Sequence, residues 1–277
     1  MQIEEGLVFS TVIQLGPLHL PTYATLLSLG LAGGVLLSLW QGREQGLGRI
    51  RSFDVALVWA SGGLLGARAA YVGVHWSFYR THLAEAARLW AGGLAWQGGL
   101  VLGLLLVTLY GLRFRLSLRR VLDVSGLPLA WFALFIWLGS GAAADVFGRE
   151  TFPTEGLLWH LSADLPDLYG LVAPRVNVPL LGIVWSSATL VLLVLLRKRM
   201  QPRGVCFCLF LLLTGLGGLV LVPLQANAVP YLFRVRLDWW FNLLLVSAGL
   251  LGWIMLSFRA ARPCQAPYPE PQNTNPL

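Results

Sequence analysis

The sequence predicts an all-α integral membrane protein: seven transmembrane helices, N-terminus outside, C-terminus cytoplasmic, and a small outer head between spans 4 and 5. Three observations predict it. Of the 277 residues, 56% are hydrophobic and 12% charged, against about 25% charged in soluble domains. The apolar residues gather into seven runs, each near the ~20 residues a helix needs to cross a bilayer. The basic residues, 19 Arg and one Lys, stand in short clusters between those runs, which is how membrane proteins mark their cytoplasmic side. The composition excludes a soluble globular enzyme, a disordered chain and a coiled coil. Despite a net charge of +7, this placement of the cations points to no nucleic-acid partner.

The spans fall at about 19–40, 54–74, 94–112, 124–143, 179–196, 204–224 and 239–257. Residues 1–18 do not read as a signal peptide, since Glu4 and Glu5 occupy the place of a basic n-region and no A-x-A site follows. Between spans 1 and 2 lie Arg43, Arg49 and Arg51. Between spans 3 and 4 lie Arg113, Arg115, Arg119 and Arg120. Between spans 5 and 6 lie Arg197, Lys198, Arg199 and Arg203, and Arg259 and Arg262 follow span 7. All four segments belong to one side of the membrane, and most acids belong to the other, which sets the orientation. The longest connection, 145–178, is the outer head, with a short interfacial helix expected in 156–172. Residues 1–262 read as one membrane domain and the Pro-rich 263–277 as a disordered tail. Cys206, Cys208 and Cys264 have neither zinc nor disulfide spacing, and the Trp residues read mostly as an interface belt.

Ionisable residues inside spans are costly and point to function by default. Arg68, in Gly66-Ala67-Arg68-Ala69-Ala70-Tyr71, is the clearest. It and Tyr71, three residues on along the same helix face, suit a phosphate. The alternative is a cation that snorkels outward or is tied to a backbone carbonyl to fix packing. In Trp90-Ala91-Gly92-Gly93-Leu94-Ala95-Trp96-Gln97-Gly98-Gly99, four glycines permit non-helical backbone. At membrane depth such backbone lines a cavity or is buried in protein. Gly92, Gly93, Trp96, Gly98 and Gly99 are therefore candidate cavity-lining residues, with glycine-mediated helix packing as the other reading.

These segments resemble the prolipoprotein diacylglyceryl transferases of bacterial inner membranes. Leu15-Gly16-Pro17 followed by Tyr23 is similar to the family's L-G-P-x-x-x-R-W-Y-G. Residues 66–71 are similar to G-G-R-x-G-Y, and Trp90 to Gly99 to W-x-G-G-M-S-F-H-G-G. Asp123 matches an acid near the start of span 4. Gly139 to Arg149 is similar to G-N-F-I-N-G-E-L-W-G-R, and Pro174-Arg175 to the start of P-R-H-P-S-Q-L-Y-E. The matches run in order over about residues 10–255. The resemblance implies transfer of a diacylglyceryl group from phosphatidylglycerol to the thiol of a lipobox cysteine, with glycerol phosphate leaving. It implies Arg68, Tyr71, Tyr23 and Arg149 as lipid-phosphate ligands, Asp145 and Gly148 as supporting residues, and no cofactor or metal. Its partners would be the phospholipid and a lipobox-bearing preprotein or another membrane protein.

The chain departs from the family pattern at charged positions. Gln97 stands where the family has the His of H-G-G, Trp137 where an Arg precedes G-N, and Ser140 where the Asn falls. An amide does not take a proton near neutral pH. His82 and His160 are candidates for a substitute base. Two readings follow: a transferase with a rearranged, degenerate site, and a catalytically inactive paralogue that serves as a lipid-binding or structural subunit. Arg175, Arg234 and Arg236 are expected to be solvated loop charges. A transporter is disfavoured, because no pair of broken spans with central charges occurs.

Overall fold

The computed structural model describes residues 12–15, 18–88, 92–143, 146–166, 171–197, 204–227 and 229–260. Among the described residues there are seven helices long and apolar enough to span a membrane. They are α1 (Thr22–Glu44), α2 (Arg49–Val74), α5 (Trp96–Arg113), α6 (Leu118–Ala143), α8 (Val178–Leu196), α9 (Val205–Leu221) and α10 (Leu237–Ala260). Single helical turns α3 (Trp76–Tyr79), α4 (Leu83–Ala86) and α7 (Leu157–His160) lie in the connections. Among the described residues there are also three antiparallel hairpins: β1–β2 (Val12–Leu15, Leu18–Pro21), β3–β4 (Ser162–Pro166, Val172–Val176) and β5–β6 (Tyr231–Leu232, Val235–Arg236). If all seven helices cross, the hairpins, residues 75–95 and the head share one side, and the short basic turns share the other. The head forms on a hairpin with one helical turn, and the tail expected at 263–277 lies outside the described residues.

Helix α6 is the centre, packing against α1, α8 and α9, while α2 pairs with α5 and α9 with α10. Lipid supplies no hydrophobic drive between helices, so small residues and close fit must hold them together. The chain uses large side chains seated in glycine notches. A Cβ on Gly33 would meet the Trp131 ring, one on Gly103 the Trp59 ring, one on Gly182 the Trp137 ring, and one on Gly217 the Trp185 ring. These four tryptophans are packing knobs between helices. An indole amphipathic enough for the headgroups is also the largest available filler for a missing side chain.

Polar groups join the helices on the side with the short turns. Asp123, 5% exposed, accepts the Cys206 backbone N–H at 3.0 Å and the Gln45 Nε2 at 3.1 Å. Cys206 lies in the first turn of α9, whose amides have no intrahelical partner. A carboxylate from α6 therefore caps α9. Asp123→Ala should lower stability by about 1–2 kcal/mol. Chemical unfolding in detergent would show it, and an unchanged midpoint would contradict the capping role.

Candidate active site on the hairpin side

Arg68 is 5% exposed, near the end of α2. Its Nε donates to the Ala86 carbonyl at 2.9 Å and its Nη2 to Glu85 at 2.7 Å. Its Nη1 donates to Gly92 at 2.5 Å and Gly93 at 3.2 Å. All three of its nitrogens are thus engaged by backbone carbonyls, those of Glu85, Ala86, Gly92 and Gly93. The guanidinium also lies 5.4 Å from the Tyr79 ring centre and 5.9 Å from that of Tyr71, within cation–π range. Gly92 and Gly93 have φ of +79° and +71°, which a residue with a Cβ resists. A Cβ on Gly93 would also run into the Tyr71 ring. The glycine bend is built around Arg68 and turns its carbonyls onto the cation. Of the two sequence readings, the geometry matches the cation tied to carbonyls.

Beyond the bend, the Ala95 N–H donates to the Ala67 carbonyl at 3.0 Å and α5 begins. Gln97 Nε2 donates to Asp238 Oδ1 at 2.8 Å, across to the first turn of α10. Next to this bond, the Trp96 and Phe241 rings meet edge to face at 5.3 Å. Arg236 Nη2 lies 3.5 Å from Asp238 Oδ2, and its Nη1 donates to the Gln225 carbonyl at 2.7 Å. Gln225 in turn pairs with Gly148 of the head, and the Arg149 N–H donates to the Leu224 carbonyl at 2.9 Å. One polar chain therefore runs from α5 through α10 to the head.

The head edge is tightly specified. The Val176 N–H donates to the Arg149 carbonyl at 3.1 Å, so residues 148–150 lie between the 222–226 segment and β4. A Cβ on Gly148 would sit 2.2 Å from the Val176 carbonyl oxygen. Gly148→Ala should force these segments apart and loosen the head, seen as faster proteolysis of 146–176 than in wild type. Arg149 keeps a side chain 47% exposed and only a 3.5 Å contact with Glu155, a pair worth under about 1 kcal/mol. Arg175 and Arg236 are largely buried rather than solvated. Arg175 donates to Glu150 at 2.8 Å and packs over Phe147, and Arg236 is held as above.

The family model for prolipoprotein diacylglyceryl transferase matches residues 10–255. The chain belongs to that family. It is 27% identical over 259 residues to the phosphatidylglycerol–prolipoprotein diacylglyceryl transferase of Streptococcus suis, covering 92% of this chain and 95% of that protein. It is 25% identical over 251 residues to the protein of that name from Streptococcus agalactiae, covering 89% and 94%. The corresponding Streptococcus pneumoniae protein is 26% identical over 243 residues, covering 86% and 90%.

Of the residues the family resemblance singled out, the structure gathers Arg68, Tyr71, Gly92 and Gly93 into one cluster. It places Trp96 and Gln97 beside α10, and Gly148 and Arg149 at the head edge. Tyr23 lies against α6, with its ring 3.0 Å from where a Cβ on Gly139 would be. Asp145, Trp90 and Ala91 lie outside the described residues. For Gly98 and Gly99 the geometry matches the other reading, glycine-mediated helix packing. A Cβ on Gly98 would sit 2.4 Å from the Gly66 carbonyl oxygen, and one on Gly99 2.8 Å from that of Gly63. Both face α2, where backbone approaches backbone. Sequence reasoning missed Asp238 and Gln225 and expected Arg236 in solvent. The available signal was an acid in the first turn of an apolar span, two residues after an Arg.

Proposed function

We propose that this chain transfers a diacylglyceryl group from phosphatidylglycerol to a cysteine thiol of a prolipoprotein. The observation that carries the reading is a family match in order across residues 10–255, supported by relatives named for that reaction. The chain acts as a multi-pass protein of the bacterial inner (plasma) membrane, with residues 1–262 forming one membrane unit. The arginine clusters at 43–51, 113–120 and 197–203 support a cytoplasmic location for the short turns, so the hairpins, the Arg68 bend and the head face outward.

In this reading the residues divide the work. Arg149, the exposed cation of the head edge, meets the lipid phosphate and stabilises the leaving anion. Tyr71 and Tyr23 offer hydroxyl groups to the same lipid phosphate. Arg68 holds the bend that delivers Trp96 and Gln97 to α10. Its engagement by four carbonyls, with an amide at position 97, favours one competitor: a paralogue that keeps lipid and transfers nothing. Incubation of the purified protein with labelled phosphatidylglycerol and a lipobox peptide separates the two. Label on the peptide thiol, reduced at least tenfold by Arg149→Ala, is expected. Retained lipid with no label on the peptide would overturn transfer in favour of the paralogue.

A further inference from the structure

A thiol becomes a useful nucleophile only as thiolate, so transfer needs a group that removes its proton. The structure does not put that group among the histidines the sequence offered. His82 is exposed, stacked on Phe78 with ring centres 4.5 Å apart and Nδ1 turned to Thr81 and the Phe78 carbonyl. His160 is exposed at the end of α7, in the head. Among the described acids on this side, Glu85 lies in the single turn α4, Asp164 is exposed on β3, Glu150 is bonded to Arg175, and Glu155 lies in the head, 3.5 Å from Arg149. Asp238 is different. Of the described acids on this side, it is the one that sits in the first turn of a membrane-spanning helix and accepts a hydrogen bond from the amide at position 97.

We propose that Asp238 is the proton acceptor for the substrate thiol, with Gln97 as the amide that orients it. The inference rests on the transferase reading above and goes beyond it. Gln97 Nε2 donates to Oδ1 at 2.8 Å, which fixes the rotation of the carboxylate. Oδ2 faces Arg236 Nη2 at 3.5 Å, longer than a good hydrogen bond. A carboxylate oxygen has two lone pairs, so Oδ2 can accept a proton in this arrangement. The Asp238 side chain is 17% exposed, enough to be reached. The charged group facing it from β6 is Arg236. The α5 side presents Gln97 and Trp96, and the nearby end of α9 presents glycine and apolar residues.

The step balances as follows. The thiol proton passes to Asp238 Oδ2. The sulfur lone pair forms a C–S bond to the glyceryl methylene carbon. The bond from that carbon to the phosphate oxygen breaks, with its electron pair leaving on glycerol phosphate. The proton on Asp238 then passes to that phosphate, restoring the carboxylate. Gln97 keeps its hydrogen bond throughout, acting as the positioning residue.

The test uses the full chain in phosphatidylglycerol nanodiscs with a lipobox peptide. Asp238→Asn keeps the shape and removes the base. Transfer at pH 7 should fall by about 10²-fold or more, the usual contribution of a general base. The residual rate should climb about tenfold per pH unit up to about pH 8, because it now follows the thiolate fraction set by the thiol itself. Wild type should be flatter over that range. Gln97→Ala should lower kcat more than it raises KM. Lipid retention and elution volume equal to wild type certify folding, and Asp238→Glu, which keeps the carboxylate, should recover part of the rate. An undiminished rate in Asp238→Asn, or a loss of equal size at every pH, would overturn the inference while leaving the transferase reading intact. No transfer by the wild-type chain would overturn both.

Discussion

Arg68→Ala is expected to release the connection that carries the chain from α2 to α5. Four carbonyls, those of Glu85, Ala86, Gly92 and Gly93, lose their donor at once. Hydrogen bonds from a charged group contribute about 1.5–3 kcal/mol each where they can be isolated. The sum is not additive, and a loss of about 3–5 kcal/mol fits the breaking of a buried network. The two left-handed glycines make the loss sharper. Without the cation, Gly92 and Gly93 have many accessible conformations and little to select one. Arg68→Lys should recover only a small part, because an ammonium has three donors on one point and cannot span carbonyls separated along a bend. Hydrogen exchange over 83–95 should rise in both variants, and any transfer activity should fall with it. If exchange in this segment stays at the wild-type level, Arg68 is not the clamp, and its role in binding a phosphate regains its standing.

Gly98→Leu is expected to separate α2 from α5 altogether. The Cβ alone would lie 2.3 Å from the Ala70 Cβ and 2.4 Å from the Gly66 carbonyl oxygen, closer than any real Cβ contact. Both obstacles are part of α2 or fixed to it, so no flexible side chain can swing away. Overpacking usually costs about 1–3 kcal/mol, more where backbone must move. Here the interface has glycine on both faces, Gly62 and Gly66 against Gly98, Gly99 and Gly103, so the effect should reach the upper end or beyond. The measurement is the yield of monodisperse protein and its unfolding midpoint in detergent. Gly73→Ala is the control, since a Cβ there meets nothing within 4 Å. Equal behaviour of the two variants would contradict a backbone-to-backbone interface.

The spans were legible because apolar length is a local property. The run expected at 179–196 is a helix over Val178–Leu196, and that expected at 94–112 a helix over Trp96–Arg113. The differences fall at the basic ends. Helix α2 starts at Arg49 rather than 54, and α1 continues to Glu44 rather than 40. Hydropathy marks the depth of the hydrocarbon, whereas helical hydrogen bonding continues until something caps it. At Glu44 the last turn also meets a partner far away in sequence, Arg197, 2.7 Å from its carboxylate. The site was legible only as a set of segments. The Arg68 motif and the glycine run were visible in sequence, and the bend that unites them was not.

The sequence by itself determined the seven spans and the family. Those depend on composition, length and order, which need no contacts. Tertiary structure alone decided what each polar residue on the hairpin side does. Arg68 and Arg149 are the same residue type beside similar motifs, yet one is wrapped in carbonyls and the other open. Gln97 lacks a proton-accepting group of its own, but Asp238, 141 residues away, lies within hydrogen-bond reach. The physical reason is range. Burial in the bilayer follows from a residue's own run of neighbours, while a charge's role follows from the donors and acceptors brought within about 3 Å, and only the folded chain brings them there.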